Sequence, residues 1–216
     1  MVVLNARKLT RGDVHRLLGL DLRLNGSFSS LLTLDPLTEE ERQELQQIQQ
    51  EFLFYWQDSK ISEGQVRFLS VAPLLRLAGF NQAPIRLEIE ENIDRFYIED
   101  GDTYITGRFD LIAVHRERSE ASVTPLWVLV VESKNSEASS SAGVAQMLTY
   151  AYSSLEHQPA VWGLVTNGET YQFFYLQQGS PATYQFMPPL NLFGDDLATQ
   201  LLQVLKAIRI WQPIAS

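Results

Sequence analysis

Three residues, Asp110, Glu132 and Lys134, have types and spacing that could carry chemistry. Glu132 and Lys134 end an apolar run in the segment LWVLVVESKNSE, residues 126–137. A continuous apolar run of this kind predicts a strand that is covered on both faces. Because side chains alternate across a strand, a carboxylate and an ammonium two residues apart lie on the same face. A solvated strand end would explain this pair, and so would an active site.

Acidic side chains at the ends of neighbouring strands could bind divalent cations. Asp110 follows GRF and precedes the apolar LIAV, so it lies beside a second predicted strand. With Glu132, and with help from the backbone carbonyl of Ser133, it could hold one or two ions that polarise a phosphate and lower the pKa of a bound water. Lys134 could orient or deprotonate that water, or offset charge on the phosphorane. These residue types suit phosphodiester hydrolysis.

Gln146 and Tyr150 are four residues apart on a predicted helix, so they are neighbours on one helical face. Gln146 could reach a water, a metal ligand or a DNA backbone. Each element also has an ordinary explanation, because the aspartate could cap a turn, the Glu–Lys pair could be a surface ion pair, and the Gln–Tyr pair a simple hydrogen bond. Their occurrence together, in this order and on these predicted elements, favours a site.

The strands that must position these residues are predicted from alternation and turns. IRLEIEENI, residues 85–93, alternates as a half-buried strand does. RFYIEDGDTYITGRFDLIAV, residues 95–114, indicates a hairpin with its turn at Asp100–Gly101 and Asp110 in its second arm. Residues 126–134 form the next strand, and residues 160–177 form two more around Asn167–Gly168.

Helices are predicted on both sides of these strands. Thr38 with Glu41 makes a capping box, and Ser62, Pro73 and Gly79 mark the start, a kink and the end of a second helical stretch. The helical segments are residues 9–20, 34–57, 61–80, 139–155 and 194–211. The order of elements predicts an α/β fold in which helices flank a central mixed sheet.

The segments GRFD, VVESK and AGVAQMLTY together resemble the PD-(D/E)xK, or restriction-endonuclease-like, nuclease superfamily. The QxxxY element of Gln146 and Tyr150 is similar to the branch that includes the nuclease domain of type I restriction motor subunits. SEGQVRFLSVAPLLRLAGF resembles the leading helix of that branch, which often supplies an extra acid, and Glu63 is the matching position. Phe109 stands where the superfamily name has proline. The resemblance covers roughly residues 60 to 178.

The resemblance implies a restriction-endonuclease-like core and a Mg²⁺- or Mn²⁺-dependent endonuclease that hydrolyses DNA in restriction, defence or repair. Asp110 and Glu132 would be metal ligands, with the Ser133 carbonyl and Glu63 as further candidates, and Lys134 the catalytic lysine. Gln146 would be a further catalytic residue, and Tyr150 and Glu63 would be supporting residues. The rival hypothesis is a non-catalytic module that keeps the nuclease fold and acts with a partner subunit.

Composition limits the classes of partner and cofactor. The 216 residues carry a net charge of −9, and no Lys or Arg occurs between residues 135 and 205, so we expect weak DNA binding by the chain alone. There is no cysteine and the three histidines are scattered, which argues against zinc. No GxxxxGK[ST] loop is present, so no nucleotide is expected.

Domain organisation and location follow from the same features. A helical lead over residues 1–60 and a nuclease-like domain over residues 61–216 are predicted, joined as one compact unit. Apolar runs are far shorter than a membrane span, residues 1–11 lack the apolar core of a signal peptide, and cytoplasmic location is expected. A partner subunit or a homodimer is compatible with these features.

Overall fold

The computed structural model describes residues 2–90, 96–97, 103–115, 126–139 and 141–212. Its strands are β1 (Val2–Asn5), β2 (Asp21–Arg23), β3 (Ile85–Ile89), β4 (Phe96–Tyr97), β5 (Thr103–Thr106), β6 (Leu111–His115), β7 (Leu126–Ser133), β8 (Ala160–Thr166), β9 (Thr170–Gln177), β10 (Thr183–Phe186) and β11 (Leu190–Asn191). Its α-helices are α1 (Arg11–Leu18), α2 (Glu39–Asp58), α3 (Glu63–Val66), α4 (Ala72–Leu77), α5 (Val144–Ser154) and α6 (Asp195–Ile210).

A mixed sheet forms the centre of the fold. Its strand order within the described residues is β2-β10-β9-β8-β7-β6-β3, with β11 paired to β9. The pairs β7–β8 and β10–β2 are parallel, whereas β3–β6, β6–β7, β8–β9 and β9–β10 are antiparallel. Strand β7, which carries Glu132, therefore has a neighbouring strand on each side, β8 and β6.

Helices cover both faces of this sheet and divide the core in two. One cluster of buried side chains joins the sheet to α2, α4 and α6. The other joins it to α1, α5 and a 3₁₀ turn at Ala6–Lys8. The predicted fold class is confirmed: a mixed α/β structure with a central sheet between helices, consistent with a restriction-endonuclease-like fold. No helix in the described ranges is long and apolar enough to cross a membrane.

The capping residues fix where the helices begin. Thr38 and Glu41 form the predicted capping box at α2, and Leu45, Ile48 and Phe52 make its buried stripe. The helical stretch after Ser62 is less regular than predicted. Its first turn, α3, passes into a π-helical segment, Arg67–Val71, before α4 begins. Pro73 lies in the first turn of α4, where its missing N–H is tolerated.

The predicted hairpin before Asp110 is wrong in one respect. β4 and β5 do pair antiparallel, with Phe96 opposite Ile105, while the turn at Asp100–Gly101 lies outside the described residues. The second arm, however, is not one strand. β5 belongs to a small sheet of order β1-β5-β4, and β6 belongs to the central sheet. Asp110 therefore lies between two strands of different sheets, at the start of β6.

The first sixty residues contain more than the predicted helices. β1 pairs in parallel with β5, and β2 pairs in parallel with β10 at the edge of the central sheet. Leu20, Phe28 and Phe52 from this segment are buried in the same clusters as the central strands. Short strands of three or four residues carry too little alternation to be recognised from sequence. The predicted boundary at residues 60 and 61 stays a prediction.

Candidate active site

Asp110 and Glu132 lie at the same end of two neighbouring strands, near enough for their charges to interact. Leu111 of β6 pairs with Val131 of β7 in antiparallel register, and continuing this register by one residue sets Asp110 opposite Glu132. Both residues are buried, at 3% and 1% exposure. Residues directly opposite each other in an antiparallel pair project to the same face. The strand pairing thus brings together the two acids that the sequence singles out.

Lys134 pairs with Glu132, as their shared strand face predicts. The Nζ of Lys134 donates to Oε1 of Glu132 over 2.5 Å. The Lys134 side chain is 16% exposed, so the pair is mostly shielded from water. The second oxygen, Oε2 of Glu132, is buried and has no hydrogen-bond partner in the described part of the chain. A buried acceptor without a donor is uncommon in folded proteins and marks a position where a ligand can bind.

Asp110 is held by three donors. The backbone N–H and the hydroxyl of Ser133 both donate to Oδ2 of Asp110, each over 2.7 Å. The guanidinium of Arg67 donates to the other oxygen, Oδ1, over 3.2 Å. These bonds fix the carboxylate beside the C-terminal end of β7, just before β6 begins. Ser133 contributes here through its N–H and hydroxyl, and the ligand role of its carbonyl stays a prediction.

Burial and the neighbouring acid change the protonation of Glu132. Desolvation, and then the negative charge of Asp110, raise the pKa of Glu132 to about 8 against the opposing influence of Lys134. Two carboxylates sharing one shielded space cannot both ionise easily, which is the usual cause of such a shift. Near neutral pH this side chain can therefore hold or release a proton. Strongly perturbed carboxyls of this kind cluster at functional sites.

Helix α5 closes the site from one face of the sheet. A Cβ atom on Gly143, the residue before α5, would lie 2.8 Å from Cγ of Glu132 and 3.2 Å from Cε of Lys134. Only glycine permits this approach, so the helix start is pressed against the Glu132–Lys134 pair. One turn further, Gln146 donates through Nε2 to the hydroxyl of Tyr150 over 3.0 Å. The glycine at this helix start thus has a specific function in packing.

The hydroxyl of Tyr150 connects α5 to the segment that precedes Asp110. It donates to the backbone carbonyl of Arg108 over 3.0 Å. Burial and the charge of Glu132 raise the pKa of Tyr150 to about 12, so the hydroxyl stays a donor at physiological pH. Gln146 contacts Tyr150 and no carboxylate among the described residues. The two residues therefore hold the segment that precedes Asp110, and the catalytic role of Gln146 stays a prediction.

Four charged residues lie near the site that the sequence did not single out as site residues: Arg7, Arg67, Glu90 and Arg108. Arg67 contacts Asp110, and its second nitrogen lies 3.0 Å from a carboxylate oxygen of Glu90. Arg108 lies 3.3 Å from the other oxygen of Glu90. Arg7, in the N-terminal 3₁₀ turn, lies near enough to lower the pKa of Glu132 slightly. Arg108 could have been found as part of GRFD, but nothing local indicates Arg7.

Glu63 is the predicted residue that the structure does not join to the others. It is half-buried in the first turn of α3, after the capping residue Ser62. Within the described residues, no ion pair or hydrogen bond connects it to Asp110, Glu132 or Lys134. Its ligand role stays a prediction. One turn later in the same helical stretch, Arg67 is the side chain that reaches Asp110.

The donor set fits a hard divalent cation. No group of three or more His, Asp or Glu side chains within the described residues is placed to hold a metal ion. Mg²⁺, however, commonly takes only one or two protein carboxylates and completes its shell with waters and substrate phosphates. Asp110 and Glu132 can supply those two carboxylates, and the unpartnered Oε2 of Glu132 offers a free acceptor. Manganese accepts the same oxygen ligands.

Comparison with known proteins gives a structural match but no sequence relative. No protein-family model and no curated protein matches this chain. Among the solved structures, a fragment of a putative HsdR subunit of a type I restriction enzyme from Vibrio vulnificus YJ016 matches with 18% identity and a TM-score of 0.38. The match covers 67% of this chain and 26% of that fragment, so this chain spans about a quarter of its length. A likeness at this level carries no argument about activity.

Proposed function

We propose that this protein hydrolyses DNA phosphodiester bonds with Mg²⁺ or Mn²⁺, as an endonuclease of restriction, defence or repair. The observation that carries the proposal is the buried group of Asp110, Glu132 and Lys134 at one edge of the sheet, with the pKa of Glu132 raised to about 8 and its Oε2 atom unpartnered. Asp110 and Glu132 would hold the cation, which when bound polarises the phosphate and lowers the pKa of a bound water.

The residues of the chain have distinct tasks in this proposal. Ser133 and Arg67 hold the Asp110 carboxylate in place. Lys134 carries a positive charge beside Glu132, where it can orient a water or balance charge that develops on the phosphate. Its position is preorganised by the ion pair, so little rearrangement is needed when charge develops. Tyr150 positions the backbone ahead of Asp110, and Gln146 holds Tyr150.

A direct assay tests the proposal. Plasmid, linear duplex and single-stranded DNA are incubated with the protein, with Mg²⁺, with Mn²⁺ and with neither cation, beside Asp110→Ala. Cation-dependent cleavage by the wild-type protein and its loss in the variant are the expected results. Comparing the three DNA forms also reports strand preference and whether cleavage begins within the chain. If none of the three DNA forms is cleaved with either cation, the nuclease function is refuted.

A second candidate function is a nuclease-fold binding module without catalysis, acting with a partner subunit. Two observations favour it: both carboxylates already have cationic partners within the chain, Arg67 and Lys134, and the net charge of −9 disfavours DNA. Calorimetry with Mg²⁺ or Mn²⁺ separates the two functions. The nuclease requires a cation site that Asp110→Ala abolishes, whereas the binding module predicts no specific heat of cation binding in either protein.

A further inference from the structure

The Glu90 carboxylate bridges two arginines from different parts of the fold. One of its oxygens lies 3.0 Å from the guanidinium of Arg67, in the π-helical segment, and the other lies 3.3 Å from the guanidinium of Arg108. Arg67 and Arg108 are 41 residues apart in the sequence, so tertiary structure alone brings them together. Two guanidinium groups that converge on one pair of anionic oxygens form an oxyanion-binding arrangement.

This arrangement lies directly beside the candidate active site. The same Arg67 that contacts Glu90 also donates to Asp110, and the backbone N–H of Glu90 donates to the carbonyl of Asp110 over 3.1 Å. The Glu90 side chain is 40% exposed and that of Asp110 is 5% exposed. Arg67 therefore joins the buried Asp110 to the partly exposed Glu90, and Glu90 in turn contacts Arg108, which is half exposed.

Glu90 has an unusual backbone conformation. Its φ angle is +54°, in the left-handed region that residues with a side chain seldom adopt. Such conformations persist where surrounding contacts hold them, and they are concentrated at functional sites. Here the conformation lies at the end of β3, where the carboxylate reaches both arginines.

We propose that Arg67 and Arg108 form a binding site for a backbone phosphate of DNA, and that the Glu90 carboxylate occupies this site in the free protein. The inference rests on the proposed function in taking DNA as the ligand. A carboxylate and a phosphodiester both present two oxygens to guanidinium donors, so one can replace the other. Partly exposed ion pairs contribute little stability, so the exchange has a low cost. Glu90 also repels DNA and weakens binding by its charge.

The test is binding of a labelled duplex oligonucleotide, measured by fluorescence anisotropy in EDTA over a series of NaCl concentrations. Glu90→Gln removes the competing charge but keeps an oxygen that can accept from both arginines, so the fold is preserved, which a thermal melt verifies. Glu44→Gln is the matched control, because Glu44 pairs with Arg76 between α2 and α4 and the charge change is identical. Arg108→Gln and the double variant Glu90→Gln/Arg108→Gln complete the set.

Glu90→Gln should bind DNA about tenfold more tightly than Glu44→Gln, the change expected from one contact to a charged group. Arg108→Gln should bind more weakly than wild type, with a log–log salt slope shallower by about 0.9, the contribution of one phosphate in duplex DNA. The double variant should lose the gain of Glu90→Gln. Equal affinities for Glu90→Gln and Glu44→Gln, or an unchanged slope for Arg108→Gln, would overturn the inference, as would no binding by any variant.

A parallel Mn²⁺-dependent cleavage assay separates this inference from the nuclease proposal. If Glu90→Gln tightens DNA binding but neither it nor the wild-type protein cleaves, the phosphate site stands and the nuclease function fails. If the wild-type protein cleaves DNA but the three binding predictions are not met, the nuclease function stands and the phosphate site fails.

Discussion

The ammonium of Lys134 donates to one oxygen of Glu132 over 2.5 Å, while the other oxygen of this buried carboxylate has no partner in the described residues. The pair therefore differs from an exposed Glu–Lys pair at a strand end, the ordinary explanation of the ESK segment. An exposed ion pair contributes at most about 1 kcal/mol to the stability of the fold. This pair is mostly shielded from water, the start of α5 packs against it, and the charge of Asp110 acts on it.

Lys134→Met should therefore do more than remove a surface charge. Because Lys134 lowers the pKa of Glu132, its loss forces the buried carboxyl either to stay ionised without a donor or to take up a proton. Above pH 8 the free energy of unfolding should therefore fall by more than about 1 kcal/mol, toward the 3–5 kcal/mol of a broken buried pair. Glu132→Gln/Lys134→Met should recover part of this loss. Urea unfolding followed by circular dichroism measures both. Equal stability of the single and double variants would contradict the prediction.

Lys134 should also affect the rate of DNA cleavage. If Lys134 acts on the attacking water or on charge at the phosphate, Lys134→Met should slow cleavage by about 10²–10³ while calorimetry still detects the cation. Glu132→Gln should instead weaken cation binding, because it removes charge from the ligand set. Cleavage by Lys134→Met at the wild-type rate would refute the catalytic role of the ESK segment.

Stability should depend on pH through Glu132. Because its folded-state pKa is raised to about 8 from 4.5, the folded protein keeps a proton that the unfolded chain releases between these values. Its contribution to stability is therefore full below pH 4.5, declines as pH rises, and is lost above about pH 8, with a slope of up to about 1.4 kcal/mol per pH unit. Subtracting the stability curve of Glu132→Gln from that of wild type isolates this term. The stability of wild type relative to Glu132→Gln should fall from pH 4.5 to 8. If it rises instead, Glu132 does not have a raised pKa in the folded protein.

Asp110→Asn tests the coupling between the two acids. The charge of Asp110 raises the pKa of Glu132, so its removal should lower that pKa toward the ordinary range. The asparagine oxygen can still accept from Ser133, whereas the hydrogen bond from Arg67 is lost. Carbon-13 NMR titration of the glutamate carboxyls measures the shift, with Glu132→Gln to assign the resonance. An unchanged pKa of Glu132 would mean that burial, and not the charge of Asp110, raises it.

Gly143→Ala should damage the site although it adds only a methyl group. The new Cβ would lie 2.8 Å from Cγ of Glu132 and 3.0 Å from Cγ1 of Val165, so the helix start or the carboxylate must move. A cost of about 1–3 kcal/mol in unfolding free energy is expected, together with loss of cleavage. Gly64→Ala in α3 is the control, since no atom lies within 4 Å of its new Cβ. That substitution should be neutral or stabilising by up to about 1 kcal/mol.

Tyr150→Phe removes the hydroxyl that joins Gln146 to the carbonyl of Arg108. Both groups lose their partner, so the unfolding free energy should fall by about 1–3 kcal/mol. Tyr55→Phe, on an exposed part of α2, should change it by less than about 0.5 kcal/mol. Urea denaturation of the two variants makes the comparison, and similar values for both would show that the hydroxyl of Tyr150 has no structural role.

The sequence by itself determined the elements and much of their chemistry. The capping box of Thr38 and Glu41, the strand that carries Glu132, and the helical spacing of Gln146 and Tyr150 are all present in the structure. These features depend on residues within about four positions of each other, and such interactions are encoded by local spacing. The confirmed fold class follows from the order of these elements.

Only the tertiary structure decided which side chains meet and how they are charged. Strands β5 and β6 are close in sequence, yet they join different sheets. The contact of Arg67 with Asp110, and the bridge that Glu90 makes between Arg67 and Arg108, connect segments that are distant in sequence. The raised pKa of Glu132 likewise depends on burial by neighbouring elements and on a charge 22 residues away, Asp110. No local pattern specifies these effects, because desolvation and long-range pairing depend on how the packed elements surround a group.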